Sequence, residues 1–391
     1  MPSPRTAGTR PEEVRRHNRA ALLRRLHVGG PCTRTALAAD LGLNRSTIKA
    51  LVDELSGAGL VVERTPDRHT RAGRPSLLVV PQPRAVVVLA VDVGVERATV
   101  AAVGIGGEVL GERTWDLERG SSAPEAVVEA VVDAARQLAA QLECEPVAIG
   151  VSVPGLVHHG TGVVHEAPNL HWRKVPLGAQ LTAALGLPAH VGNDADLGAL
   201  AEHLRGAARD VADTVYLSAD VGIGGGIIRD GMLLRGDLGF LGELGHMVVR
   251  PDGRACYCGC RGCWETEIGE DALGRALGLP AGAHRSTILA RLRALAEKPE
   301  AAWRALEGFA EWLALGLANT VNVLAPQLVV LGGLLAALPE SVVRRVGTQM
   351  RRRSLTARAA GHIRLARSTL GDRAPLIGAA ELVFGPVLAH I

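Results

Sequence analysis

Residues 245–267 read GHMVVRPDGRACYCGCRGCWETE, so His246 is followed closely by Cys256, Cys258, Cys260 and Cys263. Four of the chain's six cysteines therefore fall within eight residues. Soft sulfur donors beside an imidazole could form a metal site, a disulfide knot or a redox switch. Gly253, Gly259 and Gly262 permit the tight turns that converging ligands require. Unliganded thiols would leave this packing of Cys and Gly without a reason. Cys32 and Cys144 have no partner by pattern and read as small core residues.

The rest of the chain weighs between those chemistries. Residues 1–25 are basic and polar, with no apolar segment of the signal-peptide kind. No uninterrupted apolar run reaches membrane-spanning length. The expectation is a cytoplasmic protein without a membrane partner. There thiols stay reduced, and a cysteine cluster more often holds metal than disulfides. A length of 391 residues implies two or three domains. A hydrophobic content of 47% excludes a disordered chain, and only 3% aromatics means an aliphatic core. The net charge of +3 is unevenly placed: residues 1–84 carry 15 Lys+Arg against 7 Asp+Glu, leaving 28 against 33 in the remainder. A basic segment on a mildly acidic body points to a nucleic-acid head on a soluble domain.

The pattern of that head agrees. The stretch TRTALAADLGLNRSTIKALVDELSGAGLV predicts two helices joined by a glycine-containing turn. The first spans about 34–40 and turns at Gly42. Asn44 caps the second, where Ile48, Leu51, Val52 and Leu55 repeat at helical spacing. Arg45, Ser46, Thr47 and Lys49 are left on the exposed first turn, the part that meets base edges in a helix-turn-helix. An earlier helix, about 15–28, supplies Leu22, Leu23 and Leu26 to the same core. Two short strands follow, around PDRHTRAGRP, which makes a winged helix-turn-helix with Arg68, Arg71 and Arg74 on the wing. The DNA-binding domain is read as 1–80, with a linker at 81–84 marked by Pro81 and Pro83.

The body, 85–391, predicts a duplicated α/β fold. A hairpin pattern around Leu89-x-x-Asp92-Val93-Gly94 returns as Leu217-x-x-Asp220-Val221-Gly222. Two related lobes would then face a central cleft. The motifs GVSVPGLV, APNLHW, GNDAD, GELGHMVVRPDGRACYCGCRGCWE and APQLVVLGGLL resemble those of the ROK family of sugar kinases and repressors. That family has an actin-like, hexokinase-like fold. Head plus body resembles its repressor branch, typified by the xylose and N-acetylglucosamine repressors.

The resemblance assigns roles. It implies one structural zinc per chain, held by His246, Cys256, Cys258 and Cys263 within the segment 246–263. Cys260 departs from the family, which usually has a polar residue there. Glu243, His246 and Glu265 stand where the family touches sugar hydroxyls, so zinc would order the loop that presents them. In GNDAD, Asn193 implies a sugar contact, and Asp194 is equivalent to the base of kinase members. Asp196 replaces a common Asn. Gly155 would let sugar approach the backbone.

The same comparison argues against catalysis. ROK kinases carry Asp-x-Gly-Gly-Thr in the first hairpin, where this chain has Asp92-Val93-Gly94-Val95-Glu96. The second turn has Asp220-Val221-Gly222 in place of Gly-Thr-Gly. Carboxylates at both turns repel phosphate. The sequence therefore reads as a sugar-responsive transcriptional regulator, a repressor of carbohydrate metabolism with a degenerate kinase body and no enzyme activity. Its partners would be an inverted-repeat operator, a sugar and a second copy of itself in a homodimer or homotetramer. Two alternatives stay open: a DNA-binding protein that still phosphorylates sugar, and a zinc- or redox-responsive regulator acting through Cys260.

Overall fold

The computed structural model describes residues 11–66, 76–119 and 122–391. The head begins with helices Pro11–Gly29, Arg34–Leu41 and Arg45–Gly57. Gly42 takes the left-handed conformation that ends the second helix, and the Thr47 N–H donates to Asn44 Oδ1 (2.8 Å) to start the third. Leu22, Leu23, Leu26, Leu37, Ile48 and Val52 are fully buried between them. Strand Leu78–Pro81 lies between Cys32–Thr33 and Val61–Arg64 in a small antiparallel sheet. The wing arginines Arg68, Arg71 and Arg74 lie outside the described residues.

Residues 81–84, read as a linker, are packed rather than free. The Gln82 N–H donates to Leu60 O, and Pro83–Ala85 forms a single 3-10 turn. Leu22, Leu23 and Leu26 of the head share one apolar cluster with Leu376, Val383, Phe384 and Leu388 of the C-terminal helix Ala374–His390. Head and body are thus welded by a common core.

The body repeats one topology twice. In the first lobe, strand Val87–Val93 pairs antiparallel with Arg97–Gly104, which pairs with Val109–Asp116; on its other side lie Ile149–Val153 and Ala189–Asn193, both parallel. In the second lobe, Thr214–Ala219 stands between Ile223–Arg229 with Met232–Leu234 and the parallel pair Leu328–Gly333 and Arg364–Arg367. The two five-stranded sheets have the same order and the same polarity. The aligned pairs Leu89 with Leu217 and Asp92 with Asp220 fall at or just beyond the two equivalent first strands. Helices Asp194–Arg205 and Ala374–His390 pack together where a Cβ on Gly378 would collide with Leu197 O.

Candidate functional site

The glycine run at the start of Ile223–Arg229 assembles the site. Successive side chains on a strand face opposite ways. On one face, a Cβ at Gly224 would lie 2.6 Å from Ala195 Cβ, and one at Gly226 2.5 Å from Ala195 O and from Ala199 Cβ. Only glycine lets helix Asp194–Arg205 press onto the strand there. On the other face, a Cβ at Gly225 would lie 2.7 Å from Gly242 O. Glycine there seats the turn that carries Glu243 and His246. The glycine run is therefore required for packing.

Asn193 ends its strand and caps the helix: its Oδ1 accepts from Ala195 N–H (2.8 Å) and Asp196 N–H (3.1 Å). Its Nδ2 donates to Gly155 O (2.9 Å), leaving one amide N–H for a ligand. Gly155 has φ 98°, and any side chain there would strike Glu166 O and Ala167, so the local chain crossing alone demands glycine. Burial, with the charges of Asp220 and Asp92 behind it, pushes the Asp194 carboxyl up to about 7. Burial likewise pushes Asp92 up to about 6 and raises Glu243. The Glu265 carboxylate and the Asn169 amide approach one point, 3.2 and 3.6 Å from where a Gly222 Cβ would sit. Asn169 belongs to the motif APNLHW but was not singled out as a site residue.

His246 faces two ways. Its Nδ1 lies 3.6 Å from Cys256 Sγ, and its Nε2 lies 3.7 Å from Glu243 Oε2. Cys258 and Cys263 sulfurs are 3.6 Å apart, and ligand atoms of His246, Cys256, Cys258 and Cys263 all lie within 4.8 Å of one another. A tetrahedral ion with bonds of about 2.3 Å to sulfur has S···S edges of about 3.8 Å, so this donor set fits a metal of that size. Cys260 is exposed and outside the set; its carbonyl accepts from the Cys256 N–H (2.9 Å), closing the turn. Trp264, fully buried, donates its indole N–H to Trp312 O (2.9 Å) and pins Cys263 and Glu265 to the second lobe. Cys256 Sγ donates to Glu265 Oε1 (2.8 Å).

Ion pairs fill the turns that follow the first strand of each lobe. Asp220 pairs with Arg285, which also holds Asp372 (2.7 Å). Glu96 pairs with Arg119 (2.8 Å), and the same guanidinium reaches Glu270 (2.7 Å) of the second lobe. These arginines are far from the turns in sequence, and no local pattern marks them.

Beside Asn193 a cavity of ≈ 230 Å³ is lined by His159, His190, Asp196, Arg235 and Gly239 among others. Asp196 is buried with its Oδ1 unpartnered, and burial pushes its carboxyl up to about 8. On the head, Arg45, Ser46 and Lys49 are exposed and Thr47 is half-buried. Ser46 Oγ donates to the capping Asn44 Oδ1 (2.7 Å), and Lys49 lies 3.7 Å from Asp53.

Fold and site together define a two-lobed α/β body of the actin and hexokinase type, joined to a helix-turn-helix head. The ROK family model matches residues 88–385. The chain belongs to the ROK family. A xylose repressor of Bacillus subtilis (strain 168) is 29% identical, with 97% of each chain covered. The crystal structure of a ROK family transcriptional regulator, a homolog of the E. coli MLC protein, superimposes with a TM-score of 0.74 at 26% identity, covering 96% of this chain and 97% of that one. A ROK family glucokinase from Streptomyces griseus, solved with glucose and AMPPNP, gives 0.64 at 28% identity. It is covered over 98% of its length but matches only 76% of this chain, leaving a share about the size of the head. Among the described residues no helix is long and apolar enough to cross a membrane.

Proposed function

We propose that this chain is a cytoplasmic, sugar-responsive transcriptional repressor of carbohydrate metabolism whose body senses sugar without phosphorylating it. One observation carries the reading: a helix with an exposed basic first turn shares its core with a sugar-kinase-type body whose phosphate turns hold paired carboxylates. Arg45, Ser46, Thr47 and Lys49 enter the major groove, and Arg68, Arg71 and Arg74 extend the contact as a wing. Two-fold symmetry of a homodimer or homotetramer matches an inverted-repeat operator.

Asn193, Asp194, Glu243, His246 and Glu265 surround one sugar. Zinc held by His246 Nδ1, Cys256, Cys258 and Cys263 supplies a closed structural clip where the 247–263 loop has little core of its own. His246 Nε2 and the flanking carboxylates are thereby oriented toward sugar hydroxyls, each of which would cost ~1–3 kcal/mol if buried unpaired. An incoming triphosphate would have to displace Arg285 from Asp220 and Arg119 from Glu96 and still face both carboxylates.

A second reading, retained kinase activity, is favoured by Asp194, whose carboxyl at about 7 suits a general base. The deciding experiment titrates operator DNA with and without D-xylose, D-glucose or N-acetyl-D-glucosamine, on wild type and Glu243→Gln. The wild type should change operator affinity with one of these sugars, and the variant should bind operator normally but ignore the sugar. A Glu243→Gln protein that responds like wild type would place the effector elsewhere.

A further inference from the structure

Helix Asp194–Arg205 touches the sugar pocket at one end and the DNA head at the other. Its first residue is Asp194 and its cap is Asn193. Twelve residues span about 18 Å, and its last residue, Arg205, ends against the head. There the Arg205 Nε–H donates to Glu381 Oε1 (2.6 Å) of the C-terminal helix, and Nη2 donates to the carbonyl of His27 (3.1 Å) in the head's first helix. His27 and Glu381 are nearly inaccessible, at 2% and 6% exposed.

The His27 ring is held by polar groups on both of its nitrogens. The Gly106 N–H donates to His27 Nδ1 (2.8 Å). Nε2 lies 3.1 Å from Glu381 Oε2 and 2.9 Å from Arg205 Nη2, so all three side chains meet at this nitrogen. Burial would raise the Glu381 carboxyl, but the His27 hydrogen bond and the Arg205 charge hold it below its ordinary value. Gly107 leaves the room the guanidinium occupies: a Cβ there would lie 2.5 Å from Arg205 Cζ. The His27 ring packs against Phe384 with centroids 4.2 Å apart and the planes tilted by 41°. Glu202, on the same helix and fully buried, accepts from Ala207 N–H (2.6 Å) and Leu370 N–H (3.1 Å), fixing this end of the helix to the loop before the C-terminal helix.

We propose that Arg205, Glu381 and His27 are positioning residues that form the joint between sugar pocket and DNA head. The proposal rests on the sensor reading above and adds its route. Movement of the helix's Asn193–Asp194 end on sugar binding shifts Arg205 at the other end, and a buried three-way contact passes that shift to the first helix of the head. The joint has little slack, because moving any member strands a buried charge or donor. Coupling through it has the size of the sugar's differential affinity for the two head positions, and no more.

The test uses the full chain, the best operator that wild type selects from random-sequence DNA, and the sugar of the panel above that alters wild-type operator binding. The readout is the ratio of operator Kd with and without sugar, on the order of 5–150 for an allosteric regulator. Glu381→Gln and, separately, Arg205→Lys should bind sugar with the wild-type Kd while that ratio falls toward 1. A ratio unchanged in a folded variant overturns the joint. Should both variants fail to fold, hydrogen exchange on wild type decides: sugar should change protection of the Gly106 amide and of amides 24–30, and identical protection overturns the proposal. A wild type whose operator binding no sugar alters would instead overturn the sensor reading and the joint with it.

Discussion

Asp196→Asn should stabilise this protein at alkaline pH and leave it unchanged in acid. Asp196 is 5% exposed, Oδ1 has no hydrogen-bond partner, and Arg235 offsets only part of the burial that holds the carboxyl at about 8. Its ordinary value is 3.8, so between 3.8 and about 8 the folded protein keeps a proton that the unfolded chain has lost. Stability is therefore fully present below that window and falls as pH rises through it. The full displacement sets a ceiling of about 6 kcal/mol at about 1.36 kcal/mol for each pH unit. Water can enter the ≈ 230 Å³ cavity and side chains relax, and the realised effect should be roughly a third of that, about 2 kcal/mol. Asparagine keeps the shape and one acceptor oxygen but never ionises. Thermal unfolding of wild type and variant should coincide at about pH 4 and separate by about 2–3 °C at about pH 9, the variant being higher. Taking the difference at each pH cancels every titration the two proteins share. Parallel curves, or a variant less stable at high pH, would mean that Asp196 is ionised and paired with Arg235, and the argument from burial would be wrong.

Purified protein should carry about one equivalent of zinc; Cys258→Ser should lose it together with the sugar response, and Cys260→Ser should keep both. Loss of metal in the Cys260 variant instead would reassign the ligand set. Arg45→Ala should weaken specific operator binding by ~1–3 kcal/mol while non-specific DNA binding changes little; footprints with unchanged sequence preference would remove Arg45 from the readout. Sugar-dependent ATP turnover should be absent, and turnover at rates usual for kinases, ~1–100 s⁻¹, would overturn the assignment of a silent body.

Local features of this protein were legible from the chain because their causes are local. Asn44 caps its helix within three residues, and Ile48, Leu51, Val52 and Leu55 recur at the helical period, so the head could be read directly. The repeated Asp92 and Asp220 turns announced two lobes, and the sheets do share one strand order. The packing of Cys and Gly between His246 and Cys263 announced a donor cluster. What depends on segments remote in sequence was invisible. Close approach of Ala195, Ala199 and Gly242 requires Gly224, Gly225 and Gly226, and those contacts exist only after folding. The partners of the two acidic turns, Arg119 and Arg285, sit 23 and 65 residues from Glu96 and Asp220 and carry no motif. His27, Arg205 and Glu381 span most of the chain, and each alone reads as an ordinary charged or polar residue. Only tertiary structure desolvates them together, and burial is what turns three unremarkable side chains into one obligatory contact.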